Sequence, residues 1–148
     1  MKEETAKTDA KNKSPLNSTE EEAETGEVES TEDNRTKIDF YKFGKISING
    51  KVFTKDLIIF PDGIIFPWIR KTGHLLVADD ISEYLDNRIK TLIIGTGYYG
   101  FMRIDESLKD FLKQRKIDFV YRKTQEAVTF YNDLENKENI AFGMHLTC

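Results

Sequence analysis

Six residues, Gly95-Thr96-Gly97-Tyr98-Tyr99-Gly100, spell GxGxxG, the letters of a loop that wraps a phosphate with backbone amides. They follow Thr91-Leu92-Ile93-Ile94, an uncharged run that reads as a strand buried on both faces. That places the glycines at the carboxyl end of a strand, where open α/β sheets bind their ligands. A dinucleotide site, however, starts its helix inside the motif and puts an acidic residue at the end of a later strand. Here the next helix cap is Asp105, beyond Phe101-Met102-Arg103, and Asp118 falls within its strand. The nucleotide reading therefore fails its context. Two others stand: a nest of amides for a small anion, and a structural turn packed against the front of the domain.

The remaining chemistry-bearing residues are few. His74 and His145 are the two histidines and Cys148 the one cysteine. Period-two alternation over 140–148 puts His145 and Cys148 on opposite faces, so a shared metal is not expected, and too few soft ligands remain for zinc. A catalytic Cys–His pair would need the base to reach the thiol. Arg70, Lys71 and His74 place positive charge beside Trp68, the one tryptophan, in a loop suited to an acidic group or to no ligand at all. No paired carboxylates, Ser–His–Asp order or phosphate-binding loop with lysine stands out, so the pattern leans away from an enzyme and calls for no cofactor or metal. A pocket, if the fold builds one, would draw on Trp68, Arg70, His74, Gly95, Thr96, Gly97, Thr124 and His145.

These residues must be positioned by an α/β domain. At its front, Ile46-Ser47-Ile48 and Lys51-Val52-Phe53 flank Asn49-Gly50, a strong signal for a tight hairpin. Leu57-Ile58-Ile59-Phe60 and Ile64-Ile65-Phe66 are strands joined by a Pro61-Asp62-Gly63 turn, which makes about four short antiparallel strands. Asp80 with Glu83 reads as a capping box for a helix whose stripe is Ile81, Tyr84, Leu85 and Ile89. Asp105 starts a second helix, with Leu108, Phe111 and Leu112 inward and Lys113, Arg115 and Lys116 at its end. A strand at 117–121 follows. Thr124 then caps a third helix carrying Ala127, Phe130, Tyr131 and Leu134. Ile140, Phe142, Met144 and Leu146 alternate as a last strand with one buried face. The order ββββ then αβαβαβ calls for a mixed central sheet with helical crossovers.

Charge divides the chain at about residue 36. Residues 1–36 hold 5 basic and 11 acidic residues, a net −6, and 37–148 hold 17 and 15, a net +2. The first segment has no aromatic residue and only Leu16 and Val28 as large aliphatics, too little apolar surface to offset the backbone entropy of folding. It reads as a disordered acidic tail on a single domain spanning 37–148. A net +2 is weak for nucleic-acid binding. No apolar run approaches the ~20 residues that span a bilayer, and the acidic start resembles neither a signal peptide nor an import presequence. A cytoplasmic location is expected.

Taken in order, several fragments resemble the Mth-type domain family of unknown function. They are Phe43-Gly44-Lys45-Ile46-Ser47-Ile48-Asn49-Gly50, Pro61-Asp62-Gly63, Trp68 followed by His74, Ile93-Ile94-Gly95-Thr96-Gly97, Thr124 with Ala127, Tyr131-Asn132, and His145-Leu146-Thr147-Cys148. The resemblance covers 38–148. It implies a three-layer α/β fold with a mixed central sheet. It implies no established catalytic activity, since eukaryotic members, among them an adipogenesis-associated protein and a mitochondrial complex I assembly factor, are thought of as assembly or regulatory factors. By position, the family's recurrent residues fall on Trp68, His74, Gly95, Gly97, Thr124, Asn132, His145 and Cys148. The expected role is a non-catalytic interaction domain with a protein partner, helping to assemble a membrane or respiratory complex. The alternative is a small-molecule or anion-binding domain using loop 95–100.

Overall fold

A computed structural model describes residues 21–22, 26–29 and 36–148 of the chain. Its strands are β1 (Glu21–Glu22), β2 (Gly26–Glu29), β3 (Ile38–Lys42), β4 (Lys45–Ile48), β5 (Lys51–Phe53), β6 (Leu57–Phe60), β7 (Gly63–Phe66), β8 (Leu75–Leu76), β9 (Thr91–Gly95), β10 (Arg103–Ile104), β11 (Asp118–Arg122) and β12 (Ile140–Met144), with helices α1 (Glu106–Arg115) and α2 (Thr124–Asp133). The main sheet runs β11-β9-β12-β6-β7-β2. Strand β9 pairs in parallel with both β11 and β12, and each parallel step is made through a helix. From β12 outward the pairing is antiparallel. The result is the expected mixed sheet with helical crossovers.

Side-chain alternation sorts the sheet into two cores. Ile93, Phe142, Leu57 and Ile59 face a layer made of the β3–β4–β5 sheet and the Ala127, Val128 and Tyr131 side of α2. Leu92, Ile94, Ala141, Ile58 and Phe60 face the opposite layer, made of α1 and segment 76–89. Three layers follow, with the main sheet in the middle. Being covered on both sides is why Leu57–Phe60 and Leu92-Ile93-Ile94 are unbroken apolar runs rather than alternating ones.

The local signals act where their chemistry is self-contained. Asn49 (φ 49°) and Gly50 (φ 84°) form the left-handed corner that joins β4 to β5. Asp105 accepts from the Ser107 amide at 3.0 Å and caps α1, and Lys116 in the left-handed conformation ends it.

Other expectations are corrected by tertiary contacts. The helix expected after Asp80 is absent, and two short 3₁₀ turns, Ala78–Asp80 and Ser82–Tyr84, stand in its place. The Asp80 carboxylate folds back onto the Val77 and Lys71 amides, each at 3.0 Å, and so closes the preceding turn. Its carbonyl accepts from Trp68 Nε1 at 2.9 Å and is lost to a helix starting there. Ile81, Leu85 and Ile89 are buried all the same. From Ile38 to Phe66 there are five strands rather than about four, and they divide: the small sheet takes β3, β4 and β5, whereas β6 and β7 extend the main sheet. The last strand is buried on both faces, not one, because a layer packs on each side of the sheet: Ile140, Phe142 and Met144 enter one core and Ala141 the other. Gly26–Glu29 pairs with β7 and Glu21–Glu22 with β5. The other residues of 1–35, expected as a disordered tail, lie outside the described residues.

Ile93 fills the centre of β9 and is fully buried. Ile93→Ala is expected to cost about 2–5 kcal/mol, read as a lower denaturation midpoint with an unchanged slope.

Candidate functional site

The parallel strands β9, β11 and β12 end on one edge of the main sheet, where β6 begins and β7 ends. The residues with chemical potential gather along that edge.

At the centre is Asp56, immediately before β6. Its Oδ2 accepts from Arg70 Nη1 and from His145 Nδ1, both at 2.7 Å, and its Oδ1 accepts from the Leu146 amide at 2.8 Å. Arg70 Nη2 donates to the Gly73 carbonyl at 3.1 Å and lies 3.3 Å from His145 Nδ1. Arginine can only donate and a carboxylate can only accept, so the Nδ1 proton points at Asp56. The other ring nitrogen, Nε2, lies 3.5 Å from Thr147 Oγ1. His74, exposed, meets the His145 ring edge-on at 6.0 Å between centroids. The Arg70 side chain is 5 % exposed, and its guanidinium lies 4.9 Å from the Trp68 ring centroid. Its Nε is the only buried side-chain nitrogen or oxygen without a partner among the described residues. Burial pushes the Asp56 carboxyl up. The His145 hydrogen bond, the Leu146 amide and the Arg70 charge outweigh that push and hold it below its ordinary 3.8.

Beside this cluster, the Thr124 hydroxyl is fully buried. It donates to the His145 carbonyl at 2.7 Å and accepts from the Gly97 amide at 2.8 Å. Thr124 is thus the first residue of α2 and a link between strand ends; Lys123 occupies the cap position expected of it. The Gly95 carbonyl accepts from the His145 amide at 2.9 Å. A Cβ at Gly95 would stand 2.8 Å from Thr124 Oγ1. At Gly97 (φ +112°) a Cβ would run into the Cys148 backbone and come within 2.9 Å of the Thr147 carbonyl. Only glycine admits the passing segment there.

Loop 95–100 therefore acts as a clasp on residues 145–148. The amides of Thr96, Gly97, Tyr98, Gly100, Phe101 and Met102 all donate within the chain, those of Tyr98 and Phe101 to the Thr147 and Cys148 carbonyls. From the far side, the Leu146 carbonyl accepts from the Gly44 amide and the Tyr41 hydroxyl, both at 2.7 Å. Burial raises the Tyr41 phenol to about 12, so it remains a donor at neutral pH.

All eight sequence-selected residues lie at this edge. Arg70 and His145 meet on Asp56, His74 stands edge-on to the His145 ring, and Gly95, Gly97 and Thr124 adjoin the His145 backbone. Trp68 was expected half-buried in an exposed loop, but it is 3 % exposed in the core, with its indole against Gly143. Among the described residues no three His, Cys, Asp or Glu side chains come together to hold a metal.

Two features were missed from sequence. Asp56 looked like a strand boundary because nothing local shows that three groups from distant segments converge on it. The second is an aromatic surface. Phe43 of the β3–β4 turn is 49 % exposed, and Tyr98, Tyr99 and Phe101 of the clasp are 46, 54 and 58 % exposed. Ring centroids lie 5.7 Å apart for Phe43–Tyr98, 5.0 Å for Tyr98–Tyr99 and 5.7 Å for Tyr99–Phe101, so the four form one contiguous platform. A Tyr-Tyr-Gly-Phe run just past a buried strand is the signal that could have found it.

Residues 38–145 match the family described as protein of unknown function (DUF498/DUF598). Among solved structures, the chain is similar to a conserved hypothetical protein from Pyrococcus horikoshii, at 28 % identity and a TM-score of 0.69, over 76 % of this chain and 99 % of that one. It is equally similar to a protein described as an outer membrane protein from Bartonella henselae, at 28 % identity and a TM-score of 0.66, over 77 % and 97 % of the two chains. A Bordetella pertussis protein described as a Mth938-like domain shares the fold at 16 % identity, with a TM-score of 0.59 over 79 % and 89 %. No helix among the described residues is long and apolar enough to cross a membrane.

Asp56 binds its proton more weakly folded than unfolded, so its contribution is present at neutral pH. That contribution is lost as pH falls from the ordinary carboxylate value through the lower folded one. Asp56→Asn is expected to destabilise the domain by about 2–3 kcal/mol at neutral pH and to flatten the acid limb of a stability-versus-pH curve. An unchanged acid limb would mean that other carboxylates set it.

Proposed function

Because the chain belongs to the DUF498/DUF598 family of proteins of unknown function, a family without an assigned activity to inherit, we propose from its surface that it is a non-catalytic interaction module. The role is of the assembly-factor kind, holding a protein partner rather than transforming a substrate. The observation that carries this reading is the platform of Phe43, Tyr98, Tyr99 and Phe101. Contiguous exposed apolar surface of this kind marks interaction sites, and aromatic residues dominate the energetics of interfaces. The presentation supports the reading too. Three of the four rings stand on a loop whose amides are tied to neighbouring segments, so the platform loses little conformational entropy on binding.

The polar groups beside it are committed to structure. Asp56 is shared among three donors, and Thr124 bridges Gly97 and His145. The small-anion alternative for loop 95–100 draws no support from amides already donating within the chain.

The test compares the full chain with a Phe43→Ser/Tyr99→Ser/Phe101→Ser variant, by cross-linking in cells and by affinity capture. The substituted side chains are exposed, so the thermal melt is expected to stay within a few degrees of the parent. Each lost ring is expected to cost about 1–2 kcal/mol of partner binding, so captured proteins should fall away together. A variant that keeps the parent's partners would sink the proposal.

A further inference from the structure

We infer that the aromatic platform is a docking surface for an acidic segment of a partner protein, one that carries apolar residues among its carboxylates. The inference rests on the interaction reading above and adds the partner's chemistry. It comes from the charge around the platform. Lys42 and Lys45 flank Phe43 in the β3–β4 turn, Arg103 follows Phe101 by two residues, and Lys123 packs on Gly100 of the clasp.

The placement is close. Lys42 and Lys45 are cross-strand partners on either side of Phe43 and Gly44. Phe101 and Arg103 are both exposed while Met102 between them is buried, so ring and guanidinium share the outward face of one extended segment. Lys123, exposed, lays its aliphatic stem against the clasp, its Cγ 3.1 Å from where a Gly100 Cβ would stand. Lysine stems lengthen an apolar surface while their ammonium groups remain in water. Together they form a hydrophobic centre with a cationic rim, the complement of an acidic segment with apolar anchors.

Basic and aromatic residues also serve single-stranded nucleic acid, which stacks its bases on free ring faces. Here Phe43–Tyr98 and Tyr98–Tyr99 meet edge-to-face at 69° and 81°, and only Tyr99 and Phe101 lie near-parallel, at 30°. The four rings do not form one run of parallel faces for successive bases, and an acidic peptide is the better fit.

The test uses the full chain and a short fluorescein-labelled peptide of Glu, Leu and Phe, followed by anisotropy. Its controls are the same peptide with Lys in place of Glu, a single-stranded oligonucleotide, and vesicles containing phosphatidylserine. The acidic peptide is expected to bind saturably and more tightly as salt is lowered. An Arg103→Glu/Lys123→Glu variant should weaken it about tenfold or more and flatten the salt dependence. The Phe43→Ser/Tyr99→Ser/Phe101→Ser variant should abolish it. Equal or tighter binding of the Lys peptide, the oligonucleotide or the vesicles would overturn the inference, as would indifference to charge reversal. If cellular partners are lost with the aromatic variant yet kept by the charge-reversed one, the interaction reading stands and the acidic-partner inference falls. If both variants keep them, both fall.

Discussion

One carboxylate sets the geometry of the sheet's carboxyl edge. Asp56 stands before β6, and it takes hydrogen bonds from Arg70 of the loop after β7 and from His145 and Leu146 of the segment after β12. Three segments that leave a mixed sheet in different directions are thereby held at one point. A buried charge is tolerated only when its lone pairs are met, and here both oxygens are engaged. The depressed Asp56 carboxyl records that balance in favour of the ion. Remove this partner and Arg70, nearly buried over Trp68, becomes an unpaired cation in an apolar setting.

From that point the order extends outward. With His145 and Leu146 positioned, the chain can run through the clasp of loop 95–100 and under Tyr41 and Gly44. The same residues thus join the small sheet to the main one and stiffen the loop that presents Tyr98, Tyr99 and Phe101. The buried polar chemistry and the exposed aromatic chemistry are two sides of one arrangement. The first fixes the backbone so that the second can be displayed in a defined shape.

Much of this was legible in the residues. The apolar run 91–94 marked a strand covered on both faces, 57–60 marked a strand, Asn49-Gly50 marked its hairpin, and Asp105 marked the start of α1, because each depends on neighbours in sequence. The glycine loop, Thr124 and His145 were grouped with Trp68, Arg70 and His74 as lining for a pocket, and Gly97, Thr124 and His145 are joined by hydrogen bonds. What could not be read depends on partners far along the chain. Asp80 has the letters of a helix cap but spends its carboxylate on Val77 and Lys71 and its carbonyl on Trp68. Trp68 lies in a loop, as its neighbours in sequence suggest, but its ring is buried against Gly143, which no local signal shows. Loop 95–100 has the letters of a phosphate site, yet its Thr96, Gly97, Tyr98 and Gly100 amides already donate to Arg122, Thr124, Thr147 and Gly97. Asp56 and the aromatic platform went unseen for the same reason, since each exists only once separate segments have met.

The hydrogen bonds that join Tyr41 and Asp56 with residues 145–146 span 105, 89 and 90 positions of chain. Contacts of such range are slow to form, because a large loop must close before they return any free energy. On a ribosome, the small sheet and the first strands of the main sheet emerge long before the segment that joins them. Until then Asp56 and Arg70 have only each other, and the apolar faces of β3 to β7 lack the central strand they pack beside. The nascent domain therefore passes through a period in which its front half is made but not closed, and a chaperone has most to shield during that interval.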